Sequence, residues 1–217
     1  MRPRALRVMT ALWQSAGMRP ALVCSTAYLC DLGAHVFPVA KYALALESLE
    51  VDGTAALADR LEPGPATRER LALAHTAEYL DDLEALRWTH RTQWSEMPLT
   101  HEVVRAFAQQ AEGTTLAARE ALTRGVAAHL GGGLHHAFAD HAEGFCYLND
   151  LAIAVRAMQA EGRITRAAIV DVDVHQGNGT AAVFAEDADV FTCSLHQERN
   201  YPVPKATSDL DVGLDDG

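Results

Sequence analysis

The chain has 217 residues, 49% hydrophobic, 22% charged and 6% aromatic, with 15 Gly and 8 Pro. These proportions exclude low-complexity and collagen-like chains, and the length suffices to bury a core. A formal charge of −11, with sixteen Arg and only Lys41 and Lys205 as lysines, argues against a nucleic-acid surface built on clustered basic residues. Cys24, Cys30, Cys146 and Cys193 form no C-x-x-C pair, which points to a reduced, cytoplasmic protein. No apolar run approaches the roughly eighteen residues of a membrane span.

Residues 1–20 read as an N-terminal extension, with Arg2, Arg4, Arg7 and Arg19 and no acid. A ragged start, with Met18 as an alternative beginning, suits them better than a transit peptide, because Ser-rich character is missing. Residues 21–25 form an apolar run long enough for one buried strand. Residues 42–49 and 68–86 carry apolar positions three and four apart and predict helices, the second preceded by breaker and N-cap chemistry at Gly64-Pro65-Ala66-Thr67. The pattern is helical again over 100–125, with Gly113-Thr114-Thr115 expected to interrupt it.

The second half alternates helix and strand. Residues 151–160 predict a helix closing at Gly162, 167–170 a strand covered on both faces, 180–185 a short helix and 190–195 a further strand. This order indicates βαβ units and an α/β sheet of mainly parallel strands, with ligands expected outside the carboxyl ends of the strands.

Directly after the apolar strand stands DVDVHQGNG (171–179). Period-two alternation places Asp171, Asp173 and His175 on one face. Two carboxylates and an imidazole converging there are costly to bury unless a cation joins them, and the mixed set suits zinc or another first-row divalent ion better than calcium. The blander alternative is an acidic N-cap for the helix near Thr180, a task that Asn178 or Thr180 alone could perform. Gly177 and Gly179 are expected to let the backbone turn sharply past the site. Upstream, GGGLHHA (131–137) offers His135 and His136 as acid–base candidates, against surface histidines beside a Gly-rich turn. In GFCYLND (144–150), Cys146 reads as a small apolar filler rather than a nucleophile.

These three motifs, in this order and spacing, resemble the zinc-dependent histone deacetylase superfamily, which includes bacterial acetoin-utilisation and acetylpolyamine amidohydrolase relatives. HVFPVAKYALA (35–45), HTAEYLDDL (75–83) and SLHQERNYP (194–202) extend the resemblance from about Ala21 onward. It implies a three-layer α/β/α, arginase/deacetylase-like fold over 21–217, incomplete at the C-terminus. It further implies a Zn2+-dependent deacetylase acting on acetylated lysine in a protein or on another acylated amine; the acidic charge suits a cationic substrate. By the resemblance, Asp173 and His175 are zinc ligands, and His135 and His136 handle protons on the attacking water and the leaving amine. Asp171 orients His135, and Asn178 partners His136, as in the class IV-like or bacterial branch; an Asn carries no charge, so His136 is expected to be the less basic imidazole. Gly144 and Phe145 line the substrate channel. The backbone carbonyls of Asp171, Asp173 and His175, with Ser194 and Leu195, form a structural K+ site. The family's third zinc ligand, an Asp, and its oxyanion-stabilising Tyr belong to later segments, which makes the 217 residues the N-terminal part of such a domain. The alternatives are a non-catalytic fragment and an acetylpolyamine-type amidohydrolase.

Overall fold

Residues 18–216 are described by a computed structural model, in which every pair of adjacent strands is parallel. The first strand, β1 (Ala21–Val23), lies between β2 (Asp59–Leu61) and β3 (Ala127–His129), and its three apolar residues are all buried. A second group places β5 (Val190–Gln197) between β4 (Ala167–Asp171) and β6 (Leu210–Leu214). The helices α1 (Lys41–Val51), α2 (Arg68–Leu71), α3 (Ala77–Glu84), α4 (His101–Arg124), α5 (Asp150–Ala160) and α6 (Asn178–Phe184) connect and cover these strands. The result is a three-layer α/β/α fold, its parallel strands divided into two three-stranded sheets. Most of residues 1–20, expected as an extension, lie outside the described residues.

Local chemistry sets the element ends. Thr100 caps α4 by accepting from the Val103 N–H, and Gly125 closes it in the left-handed region. The helix expected over 68–86 is two helices, because Thr76 accepts from the Tyr79 N–H and opens α3 afresh, while Thr67 caps α2 as anticipated. The expected interruption at Gly113-Thr114-Thr115 is absent, and α4 runs through it. Gly113 is there for space: a Cβ would fall 2.4 Å from His129 Nε2 and 2.5 Å from the Tyr28 hydroxyl.

The core gathers Tyr79, Leu80, Leu83, Phe107, Ala111, Tyr147, Leu148 and Ile153, with α4 packed along α5. Strand β4 departs from the expected burial on both faces: Ile169 is buried, but Val170 is 63% exposed. It is an edge strand, and a cleft of about 730 Å³ opens beside it, walled by α4 and α5 residues such as Leu122, Leu151, Val155 and Met158.

Candidate active site

The Gly-rich loop after β3 is fastened by the first residues of α5. Asn149 caps that helix through Oδ1 to the Ala152 N–H, and its amide donates to the Ala137 carbonyl and to Thr180 Oγ1. The fully buried Asp150 carboxylate accepts from Leu134 N–H at 2.7 Å, Gly133 N–H at 3.1 Å and the Thr114 hydroxyl. Gly132 and Gly133 have φ near +74° and +73°, a conformation glycine adopts without a Cβ penalty. The two residues of the Asn-Asp pair thus grip both ends of the segment that carries His135 and His136.

Both histidines are buried, side by side, with ring centroids 4.1 Å apart. His135 Nδ1 is 2.5 Å from Asp171 Oδ2, and His136 Nδ1 is 2.7 Å from Asn178 Oδ1. Burial favours the ionised form of neither Asp171 nor His136. The hydrogen bond from His135 nevertheless holds Asp171 below the usual carboxylate range. Burial, and then neighbouring His135, bring His136 down to about 4, so it is neutral at pH 7. Asn178 does not serve as a helix cap: α6 begins after Gly177 with no side-chain cap, and the Asn178 side chain is spent on His136 and on Glu143.

The two glycines of the QGNG turn act by closeness rather than by unusual backbone angles. Neither has positive φ. A Cβ at Gly177 would sit 2.4 Å from Asp171 Oδ2, and one at Gly179 would sit 2.4 Å from the Ala137 carbonyl oxygen. The alternation expected to run through Asp171, Asp173 and His175 as a strand also differs, because β4 ends at Asp171. Beyond it the spacing is kept by successive side-chain turns: Asp171 Oδ1 accepts from the Asp173 N–H, and Asp173 Oδ1 accepts from the His175 N–H.

Asp173 Oδ1 and His175 Nδ1 lie 3.4 Å apart, both partly open to solvent. Carboxylate and imidazole are the right donor types for a first-row divalent ion, but among the described residues no group of three His, Cys, Asp or Glu side chains assembles around one point. The donor chemistry fits such an ion, and the number of donors leaves the centre open. Asp171 faces Ser194 across the β4–β5 ladder, with Leu195 next along the strand.

Gly144 borders His136, and Phe145 follows it in the chain. Both have left-handed backbone, at φ +53° and +65°, in a turn closed by reciprocal hydrogen bonds between Glu143 and Cys146. A Cβ at Gly144 would meet His136 Cδ2 at 2.5 Å, so the glycine lies flat against that imidazole. Phe145 packs edge-on to His35, centroids 4.8 Å apart, and to Phe37. Burial pushes the Cys146 thiol up to about 12, which leaves it a filler. Two residues that the motifs did not single out belong here. Tyr201 sets its ring edge against His136, centroids 5.0 Å apart, and near His175, while Glu143 accepts from both Tyr201 and Asn178. The SLHQERNYP segment was a sign of Tyr201; Glu143 stands one residue ahead of the GFCYLND motif.

The Histone deacetylase domain family profile matches residues 35–216. An uncharacterised protein of Picosynechococcus is 41% identical over 184 residues, covering 84% of this chain and 61% of its own length. The Histone deacetylase-like amidohydrolase of Pseudomonas aeruginosa is 33% identical over 78% of this chain and 45% of its own length. The acetoin utilization protein of Bacillus subtilis is 34% identical, over 67% of this chain and 40% of its own. The chain therefore spans from two fifths to three fifths of these relatives. In fold it is similar to the HD domain of HDA15 (TM-score 0.76, 24% identity, covering 91% of this chain and 62% of that one) and to a deacetylase homologue from Aquifex aeolicus (TM-score 0.76, 23% identity, 92% and 60%). A family profile reaching from the first aromatic wall of the site, at His35 and Phe37, through both histidine pairs to the last strand leaves one conclusion: the chain belongs to the histone deacetylase family.

Proposed function

We propose that this site belongs to a metal-dependent hydrolase that removes the acyl group from an acetylated lysine or a related acylated amine. The observation that carries the reading is the buried pair of imidazoles with unlike partners, His135 on a carboxylate and His136 on an amide. His136, neutral at pH 7, can accept a proton from an attacking water, and the ionised Asp171 orients His135 beside it through Nδ1. The pair thus sets an imidazole able to take up a proton beside a second one held in place by a carboxylate. The left-handed Gly144-Phe145 turn, with Phe145 against His35 and Phe37 and with Tyr201 against His136, would give a slender apolar stem an aromatic border.

Zn2+ is the proposed ion; Asp173 and His175 would be two of its ligands, and bound zinc polarises an acyl carbonyl and acidifies a water. The backbone around Asp171, Asp173, His175, Ser194 and Leu195 is the proposed seat of K+. A cytoplasmic location is part of the same proposal. A second reading, a chain without catalytic power of its own, is favoured by the open donor count at Asp173 and His175. Acetate release from an acetyl-lysine peptide and from an acetylated polyamine, with zinc added and then chelated, tests both. The proposal expects zinc-dependent release that falls by at least ~100-fold in His136→Ala, the usual size of a lost acid–base group. Full activity in that variant overturns the assignment, and no release with either substrate favours the second reading.

A further inference from the structure

Asn178 poses a chemical question, because a side-chain amide can present either its oxygen or its NH2 to a neighbouring imidazole. If it offers the oxygen, His136 must carry its proton on Nδ1 and keep a lone pair on Nε2. If it offers the NH2, the proton must sit on Nε2, and the ring loses its capacity to accept there. Nothing in Asn178 alone chooses between the two.

The choice is made one residue further out. Asn178 Nδ2 donates to Glu143 Oε1 at 2.6 Å, and the Tyr201 hydroxyl donates to the same oxygen at 2.8 Å. We infer that Glu143 is a positioning residue, the acceptor that locks the Asn178 amide with its oxygen toward His136 and so fixes His136 as the Nδ1–H tautomer. A carboxylate has no donor, so the NH2 of Asn178 is the end that can face it. Turning the amide over would set Asn178 Oδ1 against Glu143 Oε1, two acceptors at hydrogen-bond distance with no proton to share. Asn178 is itself buried, so no water relieves the mismatch.

Glu143 is well placed to hold this position. Its backbone N–H donates to the Cys146 carbonyl at 3.2 Å, and its carbonyl accepts from the Cys146 N–H at 2.8 Å, so the turn that seats Gly144 against His136 also fixes the carboxylate. The charged and titratable groups facing it are Tyr201 and His141, the latter with Nε2 3.8 Å from Oε2 and with Asp140 on its other nitrogen. Burial pushes the Glu143 carboxyl upward, but the nearby His141 and the hydrogen bonds from Tyr201 and Asn178 outweigh it and keep the group ionised at neutral pH. An uncharged Asn beside His136 is thereby backed by a charge at second hand, in a chain His136–Asn178–Glu143.

This inference takes its catalytic meaning from the deacetylase proposal, but its test needs no turnover. Long-range 1H–15N correlation spectra of the full 217-residue chain at pH 7.5 report the tautomer of His136 directly. We expect a protonated Nδ1 and an unprotonated Nε2 in the unmodified chain. In Glu143→Ala we expect loss of that single form, with appearance of the Nε2–H tautomer that an unconstrained imidazole favours. The double variant Glu143→Ala/Asn178→Asp should recover the Nδ1–H form, since Asp can only accept, a recovery that a merely structural role for Glu143 does not produce. If Glu143→Ala loses the fold, Glu143→Met keeps the bulk, lacks the acceptor and reads the same shift. An Nε2–H tautomer in the unmodified chain, or an unchanged Nδ1–H form in a folded Glu143 variant, overturns the inference. Absence of acetate release in the activity assay leaves the tautomer result standing, so failure of one proposal is distinguishable from failure of the other.

Discussion

At the scale of single residues, the site is shaped as much by missing side chains as by those present. Gly144 and Gly179 both touch His136, but they meet different kinds of neighbour. At Gly144 a Cβ would strike the imidazole ring, which can swing, and the backbone has φ +53°; at Gly179 it would strike the backbone of His136 and Ala137, with the His136 carbonyl carbon 2.5 Å away. Backbone held by Asn149 and Thr180 cannot give way as a ring can. We therefore expect Gly179→Ala to cost about 3 kcal/mol or more, and Gly144→Ala about 1–3 kcal/mol together with a displaced His136 resonance. Urea unfolding of the two variants checks the order; a Gly179→Ala protein as stable as the parent would show that this contact is relieved at no cost. Gly33, with φ +60° and nothing within 4 Å of its Cβ position, is the control for backbone strain alone. The residues legible in the sequence were those whose chemistry is clustered locally, His135 with His136 and Asp171 with Asp173 and His175. Glu143 and Tyr201 were not, because their partners lie 35 and 58 residues away, and no local period records such a meeting.

At the scale of elements, one buried polar chain ties helix to strand to loop. The Thr114 hydroxyl of α4 donates to Asp150 at the start of α5, so it accepts from His129 Nδ1 of β3, whose Nε2 then accepts from the Tyr28 hydroxyl. This arrangement explains why Gly113-Thr114-Thr115 continues α4. Its glycine admits His129 and Tyr28, and its first threonine is a partner rather than a breaker. Sequence periodicity located α1, α4 and α5 well, since apolar stripes recur there, but it could not see that Thr76 restarts a helix or that the charged run Asp59–Leu61 is a strand. The same burial has a consequence for stability. His129 and His75 are each brought down to about 4 by burial, against an ordinary value of ~6.5. Below that ordinary value the unfolded chain binds protons that the folded chain refuses, so stability is complete above it and declines as pH falls toward 4. We expect His129→Gln to be less stable than the parent at pH 7.5 but to lose less on acidification. The difference in slope should be on the order of 1 kcal/mol per pH unit between pH 6 and 4.5. Parallel stability-versus-pH curves for the two proteins, from urea unfolding, would show that His129 is not held neutral.

At the scale of the whole molecule, the parallel strands stop short of one continuous sheet. Among the described residues β3 pairs only with β1 and β4 only with β5, so each group ends in an edge with no described strand beside its outer hydrogen-bonding groups. Beside β4, Val170 and Val172 are exposed, Leu122 of α4 is half exposed, and the cleft between them is walled by apolar residues of α5. An apolar surface of this kind, bordered by an unpaired strand, attracts hydrophobic dyes and other strand edges. The carboxyl end of β4 carries Asp171, so the same strand that is open along its side delivers the carboxylate that holds His135 at its tip. The two properties should be separable by substitution. Val170→Lys places a charge on the exposed face without touching the Asp171–His135 contact, whereas Ile169→Lys would bury one against the core. For Val170→Lys we expect weaker binding of an apolar fluorescent dye and less concentration-dependent association by sedimentation. Its unfolding midpoint in urea should shift little, as surface changes are usually within ~0.5 kcal/mol. Dye binding as strong as that of the parent would mean that the exposed face of β4 is not where the chain's apolar surface is displayed, and would move attention to Phe191 on β5, which is also partly exposed.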